Sequence, residues 1–160
     1  MPSSQRRPSG AARSGPGCYR HRAVSPPSRG DAFEDKPWLL VRADRESRCV
    51  YAEWKGFATS IEFRAGTMRI LEAIRAIGAA SLISDNRRLE GVTHQDQLWI
   101  RDTWTPLAVA SGLARISAVV PQRGLGKIAT EQILSQVGMK AFSTRTFTTV
   151  SEAMEWVAES

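Results

Sequence analysis

Histidine and cysteine are scarce in this chain: His21, His94, Cys18 and Cys49 are the whole supply in 160 residues. Zinc and iron–sulfur sites need clusters of such ligands, and two cysteines make no disulfide framework, so both are set aside and no cofactor is expected. Long apolar runs are missing as well. Nothing approaches the roughly 18 consecutive apolar residues of a membrane span. Arg6 and Arg7 are followed by "PSGAARSGPG" and no apolar stretch, which argues against an export signal and makes the cytoplasm the expected location. Two catalytic signatures are also absent. There is no "GxSxG" nucleophile elbow, and in "PQRGLGK" Pro121 and Ile128 stand where a phosphate loop needs glycine and a hydroxyl residue.

Acidic residues are absent from the first 30 positions, which hold Arg6, Arg7, Arg13, Arg20, Arg22 and Arg29. The same segment has five of the eight prolines, six serines and four glycines. So little apolar surface cannot offset the entropy of ordering, and residues 1–35 are expected to form a disordered basic tail. Residues 31–160 carry 16 basic and 16 acidic groups, so the net charge of +6 belongs to the tail. Such a tail attracts polyanions weakly and without sequence preference, so no specific nucleic-acid partner is expected. A solubilising extension or a mis-assigned start codon explains it as well. With 42% hydrophobic residues the remainder suits one folded domain, placed at 36–160.

"WLLVRADRESRCVYAEW" sets two β-branched or aromatic runs around a polar centre, the pattern of a hairpin with strands near 38–43 and 48–54. Thr59 and Glu62 form a capping box, after which Phe63, Thr67, Ile70, Leu71, Ile74 and Ile77 recur at helical spacing over 60–77, up to Gly78. "ASLIS" predicts a buried strand near 80–84. Thr93 with Asp96 repeats the capping pattern and opens a helix toward Ala110 that Pro106 should bend. A strand at 114–120 follows, then a helix over 124–136 with Leu125, Ile128, Ile133, Leu134 and Val137 as its apolar members. A strand at 140–147 and a terminal helix capped by Thr149 complete the order ββαβαβαβα. That order implies an α/β fold whose mixed, mainly parallel sheet begins with an antiparallel hairpin.

Ligands of parallel sheets gather outside the carboxyl ends of the strands. Those ends would collect Asp85, Asn86, Arg87 and Arg88, then Gln122 and Arg123, then Arg145. The rim reads as basic and suited to an anion or an acidic partner loop, although arginines at strand exits are commonly just solvated. His94 and Asp96 stand two apart and share no helix face, and no nucleophile accompanies them, so no catalytic residue is assigned. Ile100, Trp104, Leu107 and Ala108 read as core, whereas Trp99 lies off their arc and is either a packing contact or an aromatic anchor for a partner. Thr93 is a helix cap first. Phosphorylated, it would meet the helix dipole and nearby Arg87 or Arg88.

Taken together, the hairpin, "YAEWKGF", "SLISDNRRLEGVTHQDQLWIRDTWTPLAVASGL", "ISAVVP" and "TRTFTTVSEAMEWV" resemble small bacterial SpoIIAA-like proteins of the STAS fold. The likeness spans roughly residues 37–158, and the tryptophan-and-proline pattern of the second helix is its most specific part. It implies a non-enzymatic module similar to anti-sigma-factor antagonists, which bind a regulatory kinase and are switched by phosphorylation where a strand-exit loop meets a helix. That region corresponds to residues 85–96. The usual antagonists carry Asp-Ser-Ser-Gly or a close variant there, whereas "EGVTHQD" offers Thr93 alone. Other branches of the fold are lipid carriers lined by an apolar pocket.

The expectation is a regulatory protein-binding domain that contacts its partner through Asp85, Asn86, Arg87, Arg88, Thr93, Trp99 and Arg123, with Thr93 as candidate phosphoacceptor. The alternative is a domain that binds a small anionic or lipid-like ligand at the same rim.

Overall fold

Six strands form one sheet in the order in which the chain makes them: β1 (Asp31–Lys36), β2 (Leu39–Asp44), β3 (Cys49–Trp54), β4 (Ser81–Asp85), β5 (Arg115–Val119) and β6 (Ser143–Phe147). The structure is a computed structural model and describes residues 31–137 and 141–159. Strands β1 to β3 pair antiparallel, and β3 to β6 pair parallel. The chain is therefore α/β with a mixed sheet, as its residue pattern predicts, but the leading unit is a three-stranded meander. Strand β1 takes in residues 31–35, which the sequence reading assigned to the tail. "DAFEDK" is charged and does not alternate, so it carries no strand signal. Its register with β2 slips between Ala32 and Glu34, and Arg69 takes up the bulged stretch, with its guanidinium over the Phe33 ring and its Nε donating to Glu34. Cys18 and the tail arginines lie outside the described residues.

Helices α1 (Ser60–Ile77), α2 (His94–Trp99), α3 (Thr105–Ala110) and α4 (Leu125–Val137) connect the parallel strands, and α5 (Val150–Ala158) follows β6. Because the strand order never reverses, right-handed crossovers all return on one side of the sheet. The core on that side joins Leu39, Val41, Val50, Ala52, Leu82 and Ile116 of the strands to Phe63, Ile70, Leu71 and Ile74 of α1 and to Ile100, Trp104 and Ala108. The opposite face carries a smaller cluster in which Ala153 and Val157 of α5 pack on Cys49, Tyr51, Ile83 and Val119. Helix α1 is set by the predicted capping box at Thr59 and Glu62 and stops at Gly78, whose left-handed conformation (φ 61°) turns the chain toward β4.

Between α2 and α3 the backbone widens into a π-helical turn, Ile100–Trp104, closed by the Thr105 amide donating to the Ile100 carbonyl. Pro106 follows directly. Proline offers no amide and its ring clashes with the carbonyl four residues back, and the wider turn relieves both problems. The bend expected at Pro106 thus takes the form of an extra residue in the preceding turn, which leaves Ile100 and Trp104 both facing the core.

The first turn of α4 lies directly on the loop after β4. A Cβ built on Gly126 would overlap the Leu89 carbonyl oxygen. Gly126→Ala is therefore expected to destabilise the fold by about 2 kcal/mol, overpacking of up to ~3 less the ~1 kcal/mol by which alanine favours a helix. Urea titration of the variant checks this.

Candidate functional site

The carboxyl ends of β3, β4 and β5 lie side by side, and their exit loops touch in sequence. The Glu90 amide donates to the Gly56 carbonyl at 3.4 Å, joining the β3–α1 loop to the β4–α2 loop. The Leu89–Gly126 approach joins the latter to α4. This continuous rim contains the predicted site residues, but in roles that differ from free ligand-binding groups.

Asp85 is buried and serves as an anchor. Its carboxylate accepts from the Tyr51 hydroxyl at 3.0 Å and from Arg87 through Nε at 2.9 Å and Nη2 at 2.7 Å. Burial first, and the Asp85 carboxylate second, push the Tyr51 phenol well above its ordinary value, so it stays a donor. Arg88 lies 3.7 Å from Glu53, whose position on β3 is in register with Asp85. Asn86 is buried too: its Nδ2 donates to the Thr130 hydroxyl of α4 at 3.1 Å, and its Oδ1 accepts from Ser84 at 2.8 Å. Two arginines of the basic rim read from the sequence are thus balanced, Arg87 by Asp85 at the end of its own strand and Arg88 by Glu53 of the neighbouring strand. Arg123 is exposed and lines an open groove of about 410 Å³ with Arg87, Arg88, Pro121 and the first residues of α4. Arg145 turns its guanidinium over the Phe147 ring at 5.3 Å.

The strand order also bears on this region. Open α/β sheets hold ligands at the point where the strand order reverses and neighbouring crossovers part to opposite faces. No such reversal occurs here.

Thr93 caps α2 as predicted, accepting from the Asp96 amide at 3.2 Å while its hydroxyl donates to the Asp96 carboxylate at 2.8 Å. Asp96, fully buried, also accepts from the Ser60 hydroxyl and from Arg64 Nε, both at 2.7 Å. One carboxylate therefore ties the first turn of α1 to the first turn of α2. Burial works against its ionisation, but the hydrogen bonds from Ser60, Arg64 and Thr93 together outweigh it and hold the carboxyl below the ordinary range. Trp99 is half-buried against the main core, with the Arg64 guanidinium 5.3 Å from its ring centroid. His94 is exposed in the first turn of α2.

The Asp96 cluster escapes sequence reasoning because its partners lie more than 30 residues apart. The only local signal is that Ser60 and Arg64, four apart, share a helix face. Gln97 was equally silent: it donates to the Gln132 amide oxygen of α4 at 3.2 Å and accepts from Gln136 at 3.4 Å, so α2 and α4 meet through amides.

Two further features belong to this end and to the space behind it. Among the described residues, four of the five exposed large hydrophobics, Phe57, Ile61, Leu125 and Ile128, stand on the segments leaving β3 and β5 and so flank the 85–96 loop on both sides. Beneath α4 lies an apolar cavity of about 80 Å³ bounded by Phe63, Ile100, Trp104, Ile116, Ile133 and Val137. No family model matches the chain, and neither a curated protein nor a solved structure matches it.

Proposed function

We propose that this domain is a non-enzymatic protein-recognition module whose contact surface is the rim at the carboxyl ends of β3 to β5. The observation that carries the reading is that Phe57, Ile61, Leu125 and Ile128 stand exposed on the segments either side of its central loop. Exposed apolar anchors set among charged side chains are what a recognition surface presents, whereas a solvated strand-exit rim has no use for them. The paired arginines fit the same reading, since charges already balanced within the chain orient a partner more than they bind a free anion. The resemblance to SpoIIAA-like proteins of the STAS fold supports a regulatory partner of the anti-sigma-factor kind, with residues 85–96 at the centre of the contact.

Regulation at Thr93 would act by rupture. Its hydroxyl is committed to Asp96 in both directions, so a phosphoryl group would face a buried carboxylate and separate the first turns of α1 and α2.

A photo-crosslinker at Leu125 tests the surface. In source cells it is expected to trap one protein in stoichiometric yield, and the variant Phe57→Ser, Ile61→Ser, Ile128→Ser is expected to abolish that product. All three side chains are exposed, so the fold should stay within about 0.5 kcal/mol per site. An unchanged crosslink in the variant would refute the surface.

A second reading, binding of a small lipid-like ligand, is favoured by the cavity beneath α4. Its hydroxyl and amide groups already have partners: Thr67 donates to the Phe63 carbonyl, Ser84 to Asn86, and Asn86 to Thr130. A water there would find few hydrogen bonds, so an apolar group is the better occupant. A saturable thermal shift with short-chain apolar compounds, lost in Ile133→Trp, supports this reading; the absence of any shift counts against it.

A further inference from the structure

We propose that the outer edge of β6 accepts an extended, basic segment of a partner protein as an added strand of the sheet.

The sheet has two edges, and they differ in their protection. An exposed edge strand invites pairing with another chain, and proteins blunt it with charges and bulges. Strand β1 has both: Asp31, Glu34, Asp35 and Lys36 stand along it, and its register with β2 slips between Ala32 and Glu34. Strand β6 has little of either. Its sequence "STRTF" holds one charged residue and no proline, and it keeps unbroken register with β5 from Ser143 to Phe147. Among the described residues no strand pairs with its outer side.

The bonds that β6 makes to its neighbour identify the groups that face out. The Ser143 amide donates to the Ala114 carbonyl, and the Phe147 carbonyl accepts from the Val120 amide, both at 2.9 Å. Backbone groups alternate in direction along a strand. Ser143, Arg145 and Phe147 therefore turn theirs to β5, while Thr144 and Thr146 direct their amides and carbonyls away from the sheet. The flanking helices leave room for a strand there. An open groove of about 400 Å³, with Leu134, Thr144 and Thr146 in its lining, runs between β6 and α4, and one of about 530 Å³ lies on the α5 side.

Charge selects the occupant. The groove on the α5 side is lined by the carboxylates of Glu131, Glu152, Glu155 and Glu159 against the cations of Lys127 and Arg145. Lys127 stands 3.9 Å from Glu131, and Arg145 lies over the Phe147 ring, so the three glutamates of α5 set the sign of the surface. In an added strand every second side chain points to that groove and is favoured as lysine or arginine, whereas the alternate ones, toward Leu134, are favoured as small or apolar. A second copy of the chain fits badly. The antiparallel register that uses the outward groups of both threonines sets Arg145 directly opposite Arg145 and brings two acidic helices together.

The probe is a short synthetic peptide of alternating lysine and valine, added to the full-length protein and followed by nuclear magnetic resonance. Saturable shifts are expected at residues 143–147, and hydrogen exchange at the Thr144 and Thr146 amides should slow several-fold, while residues 85–96 keep their shifts. Thr146→Pro removes an outward amide but no bond to β5, and should abolish binding. Glu155→Lys with Glu159→Lys, both at exposed positions, should weaken it several-fold. Shifts on α5 without protection of the two threonine amides, or equal binding by Thr146→Pro, would reduce the effect to charge attraction and overturn strand addition. Protection of those amides that grows with protein concentration in the absence of peptide would give the edge to a second copy and overturn the proposal as well.

Discussion

Asp96→Ala is expected to lower the unfolding free energy by about 3 kcal/mol in urea titration. The carboxylate is only 2% exposed, and removing it leaves the Ser60 hydroxyl, the Thr93 hydroxyl and the Arg64 guanidinium without their common acceptor. Breaking a buried pair costs about 3–5 kcal/mol, and the lower end applies because Arg64 is partly exposed and can turn to water. Asp96→Asn keeps one acceptor oxygen and should lose roughly half as much. The two variants also separate by pH. The folded carboxyl titrates below the ordinary aspartate value, so its contribution is complete above that value and is lost as pH falls through the lowered one. As pH falls below the ordinary aspartate value of about 4, the native protein should therefore lose melting temperature that Asp96→Asn, already without the charge, does not lose. Equal losses in both would mean that this carboxylate does not hold the two helix starts together.

Trp104→Ala should cost about 4 kcal/mol, the largest single-side-chain effect expected in the domain. The indole is buried at the end of the π turn, faces Phe142 at a ring-centroid distance of 6.5 Å, and donates through Nε1 to the Thr67 carbonyl at 2.9 Å. Its removal opens space next to an existing cavity, so surrounding side chains have little incentive to collapse into it. Trp104→Phe keeps most of the volume and leaves the Thr67 carbonyl without the indole donor; about 1–2 kcal/mol is expected. A loss below ~2 kcal/mol for the alanine variant would show that the wide turn can repack around smaller side chains.

What the residues disclosed in advance was local. Thr59 with Glu62, Thr93 with Asp96 and Thr149 with Glu152 each marked a helix start within a residue, because a cap is a contact between neighbours. Strands β2 to β5 were found to within a residue or so from their apolar runs, and the last strand proved shorter than 140–147. Strand β1 escaped because its pairing partners, not its own pattern, make it a strand. The rim illustrates the same limit. Arg87 turns back on Asp85, two residues before it, whereas only the sheet register brings Glu53 beside Arg88. Leu125 and Ile128 have the spacing of core residues, yet α4 reaches past the sheet at its start and leaves them in solvent. Spacing tells which residues share a face, whereas cover depends on where the neighbouring elements end.

The sequential order of the strands has a consequence for synthesis. Each strand bonds to the one made immediately before it, so no strand must wait for a distant segment, and the loop to be closed at every step is short. The sheet can grow by one edge as the chain leaves the ribosome, with the crossover helices covering its first face along the way. The second face differs: Tyr51, Ile83 and Val119 stay uncovered until α5, translated after all six strands, folds back over them. A stall or cleavage just before α5 would leave a nearly complete sheet with a bare apolar side, a form prone to aggregation and readily recognised by chaperones.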